Sequence, residues 1–278
     1  MTPRVRQGLL LLLLVGALMA TPWSRTLTAP IPKNVYLEEM TWVEVREAIQ
    51  HGKTTAIVPT GGTEQNGPHV VLGKHNYIVH YTAGEIARAL GNALVAPVIA
   101  YVPEGSIDPP EGHMLLAGTL SVSEDVFAAV LESAARSLRA HGFTNILFIG
   151  EHGGNQATQA RVADKLNAEW AGTGVRVLQV DDYYYKNGQV DWLMAQGETR
   201  EDIGTHAGIR DTSELMAVYP DGVRMDRLAP NGGNYTEPTG VAGDPTRASA
   251  ERGRKLLRLK IEAALAQISR ELGRPAGS

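Results

Sequence analysis

Residues 60–76 read TGGTEQNGPHVVLGKHN and hold Glu64, Asn66, His69 and His75 within one short stretch, bracketed by Gly61, Gly62, Gly67 and Gly73. Carboxylates and imidazoles bind cations or move protons, and glycines let a backbone bend sharply around them. A hydrolytic metal site needs about three or four nitrogen or oxygen ligands and an open position for water. Glu64 and His75 flank a turn across which they are able to converge. His152, in IGEHGGN, adds an imidazole from a second loop, and Asp211, in THAGIRDTSEL, adds a carboxylate from a third. His206 lies just ahead of Asp211. The amide Asn66 is the odd member among stronger ligands.

Plainer readings stand beside these. A carboxylate at a helix start is commonly a cap, which is the rival role for Asp211. His51, His80 and His141 read as structural histidines. Gly153 and Gly154 are able to form a simple tight turn, and the run Tyr183 to Tyr185 reads as strand packing. No GxxxxGK[ST] pattern follows either Gly-rich loop, so neither is a nucleotide phosphate loop, and Lys74 has no such context.

The elements that would position these residues alternate. TWVEVREAIQHG predicts a helix capped by Thr41 and stopped at Gly52. TTAIVPTGG predicts a buried strand running into a glycine turn. Asn76 to Leu90 is expected to be helical, NALVAPVIAYVP strand-like, and Ser123 to His141 a capped helix. NILFIGEHGGN repeats the strand and Gly-rich loop, with a helix to about Trp170. VRVLQVDDYYY is expected to be another strand, Thr212 to Tyr219 a helix, and Pro245 to Leu272 a long C-terminal helix. Strands separated by helices predict a single-domain layered α/β/α sandwich with a mostly parallel sheet. In such sheets the ligand site lies outside the carboxyl ends of the strands. The loops of Glu64 and His152 both follow predicted strands, and that coincidence first marks a site.

The chain has 278 residues, 43% hydrophobic and 20% charged, an ordinary globular composition. Its formal net charge of -4 offers no basic face for nucleic acid. Cysteine is absent, which excludes disulfides, thiolate metal sites and a cysteine nucleophile. Arg4 and Arg6 precede an apolar run from Leu9 to Ala20, the pattern of an export leader. The run is short for a spanning helix, which needs roughly 20 apolar residues. Residues 1–20 are therefore expected to be a signal peptide, with an uncleaved membrane anchor as the alternative. Residues 21–35 would be a linker and 36–278 the hydrolase domain of a periplasmic or secreted protein.

The motifs resemble those of the creatininase (creatinine amidohydrolase) family. The family pattern GS-x-EQHGPHLPLGTD compares with GGTEQNGPHVVLGKHN here, and NGHGGN with GEHGGN. The pattern x-E-H-x-x-FPGT compares with EGHMLLAGTLS, HAG-x-x-ETS-x-ML with HAGIRDTSELM, and GDPT-x-A-x-x-E-x-G with GDPTRASAERG. The resemblance implies metal-dependent hydrolysis of a C–N bond in a small molecule, a cyclic or linear amide. It implies His206 as proton shuttle, either substrate contacts or a supporting structural role for His69 and His113, and for Asn155 either fixing the Gly-rich loop or donating to substrate. It also implies a homo-oligomer, with a hexamer as the family's frequent form.

Family members resemble one another in holding two divalent ions. Glu64 and His152 match two of the family's ligands, but Asn66 stands where a histidine is expected and His75 where a bridging aspartate is expected. The acid before the Thr-Ser pair is Asp211 instead of glutamate. A carboxylate bridges two cations, whereas a neutral imidazole offers one lone pair to one ion. The expectation is therefore one ion per chain, Zn with Mn or Fe as alternatives, on Glu64, His75 and His152 with Asp211 nearby. Asn66 would be left to bind substrate or a metal-bound water. Two other readings remain: an exported small-molecule-binding protein with a degenerate site, and a lactone or ester hydrolase on the same site.

Overall fold

Two apolar runs, TAIVPT and NILFIG, form adjacent central strands because nearly every residue in them is buried. The computed structural model describes residues 34–228, 233 and 239–273. The leader expected over residues 1–20, and the linker up to residue 33, lie outside the described residues. The strands are β1 (Thr55–Thr60), β2 (Ala93–Val95), β3 (Asn145–Gly150) and β4 (Arg176–Gln179). They form one all-parallel sheet in the order β2-β1-β3-β4, with Thr55 of β1 opposite Asn145 of β3 and Ala93 of β2.

The helices of the described residues are α1 (Trp42–Gln50), α2 (Lys74–Leu90), α3 (Glu124–Ala140), α4 (Gln156–Glu169) and the short α5 (Asp182–Tyr185). They continue with α6 (Gln189–Ala195), α7 (Arg200–Ile203), α8 (Ile209–Val218) and the long α9 (Ala250–Leu272). Thr41 caps α1 through a reciprocal box with Glu44, and Ser123 caps α3. Successive strand residues face opposite layers. Ala56, Val58, Ile146 and Phe148 pack with Phe127, Leu131 and Trp170 on the α3/α4 side. Ile57, Leu147 and Ile149 pack with Val79, Ala83 and Ile268 on the α2/α9 side. This is the expected α/β/α sandwich.

Three local expectations change. The strand expected over 92–103 shrinks to Ala93–Val95, because Pro97 has no N–H for a ladder. Beyond it the chain keeps contact only through isolated bridges, Thr60 with Ile99 and Val102 with Ser121. The tyrosines expected to end a strand lie on α5, where Tyr184 and Tyr185 donate to Asp181 O. Residues Pro245–Arg247 form a 3₁₀ turn capped by Asp244, and Ser249 then caps α9. No described helix is long and apolar enough to cross a membrane.

Candidate metal centre and active site

The loops that leave the carboxyl ends of the sheet bring four ligand groups to one point. After β1, Glu64 is fixed by its own N–H, which donates to Leu72 O at 3.1 Å. The Asn66 amide donates to Glu64 O at 2.9 Å and closes the same turn. Glu104 follows the interrupted strand, and its N–H donates to Ser121 Oγ at 3.0 Å. A Cβ on Gly62 would lie 2.2 Å from Glu104 Oε1, so glycine leaves the space that this carboxylate fills. His113 sits on a 3₁₀ turn, Gly112–Leu115, and His152 lies two residues past the end of β3.

Glu64 is the hub and is fully buried. His113 Nε2 and His152 Nε2 lie 3.2 and 3.3 Å from its Oε2, and His152 Nε2 is also 3.3 Å from Glu104 Oε2. One ligand atom from each of Glu64, Glu104, His113 and His152 lies within 4.8 Å of the others. Among the described residues this is the one group of at least three such side chains that converges so. Glu64 Oε2 and both oxygens of Glu104 are buried with no hydrogen-bond partner among the described residues. Buried lone pairs left open in this way fit a cation. The donor set, two imidazoles and two carboxylates, suits zinc or manganese.

The electrostatics agree. Burial works against the Glu64 charge, but His152 and His75 outweigh it and hold its pKa well below the ordinary range. Burial, then the Glu64 charge, pushes Glu104 up to about 11. Burial takes His113 down to about 4, which keeps it neutral and able to ligate. The Gln65 amide nitrogen lies 3.1 Å from His113 Nδ1 and fixes the ring from behind.

The four converging groups are not the four expected: Glu104 and His113 stand where His75 and Asp211 were placed from sequence. His75 Nε2 donates to Glu64 Oε1 at 2.6 Å, so it acts on the centre through that carboxylate. Burial, then Lys74, takes its pKa down to about 3. Asp211 accepts from Lys74 Nζ at 2.8 Å and from Ala207 N at 2.9 Å. Burial opposes its charge, but Lys74 and Arg210 hold its carboxyl far below the usual carboxylate range.

His206 is nine-tenths buried and stands at the edge of the group. Its Nε2–H donates to Gln65 O at 2.8 Å, which turns Nδ1 toward Glu64 Oε1, 3.7 Å away. Its backbone pairs both ways with Ala242. The next residue, Ala207, has a positive φ of 53°, an uncommon conformation for a residue with a Cβ. Asp211 binds Ala207 N, and His69 Nε2 donates to Ala207 O at 3.1 Å, so these two clamp the turn that presents His206. Burial takes the His69 pKa down to about 4.

Glu64, Lys74, His75, His113, His152, His206 and Asp211 line a cavity of about 180 Å³. The buried side chains of His69, Asn66 and Asn155 do not line it. Asn155 instead donates to Thr60 Oγ1 and Gly61 O, both at 2.8 Å, and ties the His152 loop to β1. Beyond the metal group the cavity reaches Arg210, Glu214, Glu151 and Lys260. Lys260 Nζ bridges Glu151 at 2.6 Å and Glu214 at 2.9 Å. A larger hollow of about 590 Å³ beside α4 and β4 contains none of the candidate residues. Sequence reasoning missed Glu104 and Lys74. The signal for Glu104 was its place one residue past a predicted strand, where ligands of parallel sheets gather.

A parallel α/β sandwich with a His/Glu group at its strand ends is an arrangement able to hold a hydrolytic metal ion. The chain belongs to the creatininase family: the family profile, described as creatinine amidohydrolase, matches residues 38–268. It is by class a metal-dependent amidohydrolase. It is 27% identical over 245 residues to the mycofactocin precursor peptide peptidase of Mycobacterium tuberculosis, covering 80% of this chain and 87% of that one. It is 25% identical over 201 residues to the creatinine amidohydrolase of Pseudomonas putida, covering 70% and 76%. A creatininase crystal structure superposes with TM-score 0.72 at 24% identity, covering 88% of this chain and 100% of that one. A manganese creatininase gives TM-score 0.71 at 25% identity, covering 86% and 99%.

Proposed function

We propose that this protein hydrolyses a C–N bond other than a peptide bond, in a small cyclic or linear amide, with one divalent ion per chain. The observation that carries the reading is the convergence of Glu64, Glu104, His113 and His152, three of which line the cavity while Glu104 lies behind them, with buried carboxylate oxygens left open. These four side chains would hold a divalent ion, zinc favoured over manganese or iron, which when bound would supply polarisation of a carbonyl and a lowered pKa for water.

The chain's own residues supply the rest. His75 and Gln65 orient Glu64 and His113. Burial lowers the His206 pKa, so its ring is neutral at pH 7 and Nδ1 is ready to take a proton and pass it to the leaving nitrogen. The cavity of about 180 Å³ is smaller than the sites of drug-sized ligands, which favours a small substrate. Arg210 lines it without a hydrogen-bond partner among the described residues and offers its N–H groups to a substrate carbonyl or carboxylate. Asn66 and His75 depart from the family pattern, which argues against creatinine itself.

Elemental analysis of the purified protein and a panel of small amides, lactones, esters and short peptides test this. The expected result is a bound divalent ion and chelator-sensitive cleavage of an amide. His206→Ala should keep the ion and lose roughly 10²–10⁴-fold in turnover. Cleavage confined to esters or to peptides would replace the substrate class. Ligand binding with no turnover by the metal-loaded protein would make it a binding protein.

A further inference from the structure

The second cation that the family pattern implies does not fit this chain, and the reason is Lys74. Its side chain is 1% exposed, at the first position of α2, and its Nζ lies 2.8 Å from Asp211 Oδ2 and 3.6 Å from Glu64 Oε1. The buried Glu64 and the part-buried Asp211 are the two carboxylates that the ammonium reaches, and it stands between them. A creatininase relative is described as a zinc–zinc form. Here the same loop brings an amine where an ion would need open oxygens. The neighbouring Asn66 does not line the cavity, and its amide nitrogen donates to Glu64 O at 2.9 Å.

We infer that the Lys74 ammonium is the second cation of this site, a covalently attached charge that takes the place of a second metal ion between Glu64 and Asp211. The inference rests on the hydrolase reading above and explains why that reading assigns one ion. Lys74 satisfies Asp211, which also holds the Ala207 turn, and keeps Glu64 Oε1 from serving another ion. Its Nζ keeps a positive charge at the cavity wall whatever ions are supplied.

The test is equilibrium dialysis of the metal-stripped protein against zinc sulfate, with ions counted by elemental analysis. The wild type and Lys74→Arg should bind one ion per chain. Lys74→Met should bind a second, weaker ion, and adding Asp211→Asn should remove it. Two ions in the wild type, or one ion in both the wild type and a folded Lys74→Met, would overturn the inference and leave the hydrolase reading standing. No ion in the wild type with one in Lys74→Met would support the inference and sink that reading; none in either would sink both. If Lys74→Met does not fold, it is refolded in excess zinc. Recovery with two ions supports the exchange of ammonium for metal, and failure to recover while Lys74→Arg folds overturns it.

Discussion

Two buried carboxylates that share one imidazole do not both stay charged unless a cation joins them. Glu64 and Glu104 meet His152 Nε2 at 3.3 Å each, and Glu104, pushed up to about 11, is the one that keeps a proton. Loading the site should therefore expel that proton. Zinc titration calorimetry at pH 8, in buffers of different ionisation enthalpy, should show about one more proton released per ion by the wild type than by Glu104→Gln. Equal release would mean that Glu104 is charged before the ion arrives. At this scale the sequence was only partly legible. Glu64, His113, His152 and His206 sit in motifs dense with polar residues. Glu104 is a lone acid after an interrupted strand, and Lys74 is a lysine whose partner, Asp211, lies far along the chain. Pairings of that range leave no local trace.

The elements hold these side chains in register through two helices that cross very closely. A Cβ on Gly253 of α9 would lie 1.8 Å from Ser213 O of α8, so only glycine permits this approach. Asp211 and Glu214 ride on α8 and Lys260 on α9, and Lys260 Nζ joins Glu214 at 2.9 Å. Gly253→Ala should force the helices apart and cost about 3 kcal/mol. That corresponds to a fall in Tm of roughly 6–12 °C for a domain of this size. An unchanged melting temperature by calorimetry would show that the helices have slack. Helices with caps were legible to within a few residues, α1 from Thr41 and α3 from Ser123. The run of tyrosines misled because aromatic residues favour strands in general, whereas here Asp181 and Asp182 begin a helical turn after β4.

Over the whole molecule, the layered α/β/α order was written in the alternation of apolar strands and helices. The acid response is a property of that same scale. His69, His75 and His113 are held near 4, 3 and 4, chiefly by burial. Unfolded, each would titrate near 6.5. Their folded values are depressed, so the unfolded chain binds more protons between about 4 and 6.5, and stability is lost as pH falls through that window. Glu104 and Glu151 are raised by burial and act with the opposite sign, losing stability as pH rises. Chelated protein should therefore gain in Tm from pH 4 to about 6.5 and decline above it. A flat profile in calorimetry across pH 4–6.5 would contradict neutral buried histidines.

Asn66, Lys74 and His75 all belong to the single stretch between the end of β1 and the first turn of α2, while Glu104, His113 and His152 come from other loops. Most of what sets this centre apart from its relatives is thus inherited as one contiguous block, with Asp211 on α8 the exception. A lineage could exchange an acquired ion for a genetically encoded charge by rewriting one loop, with the sheet untouched. On the one-ion proposal, a protein so altered would depend on its surroundings for one metal instead of two.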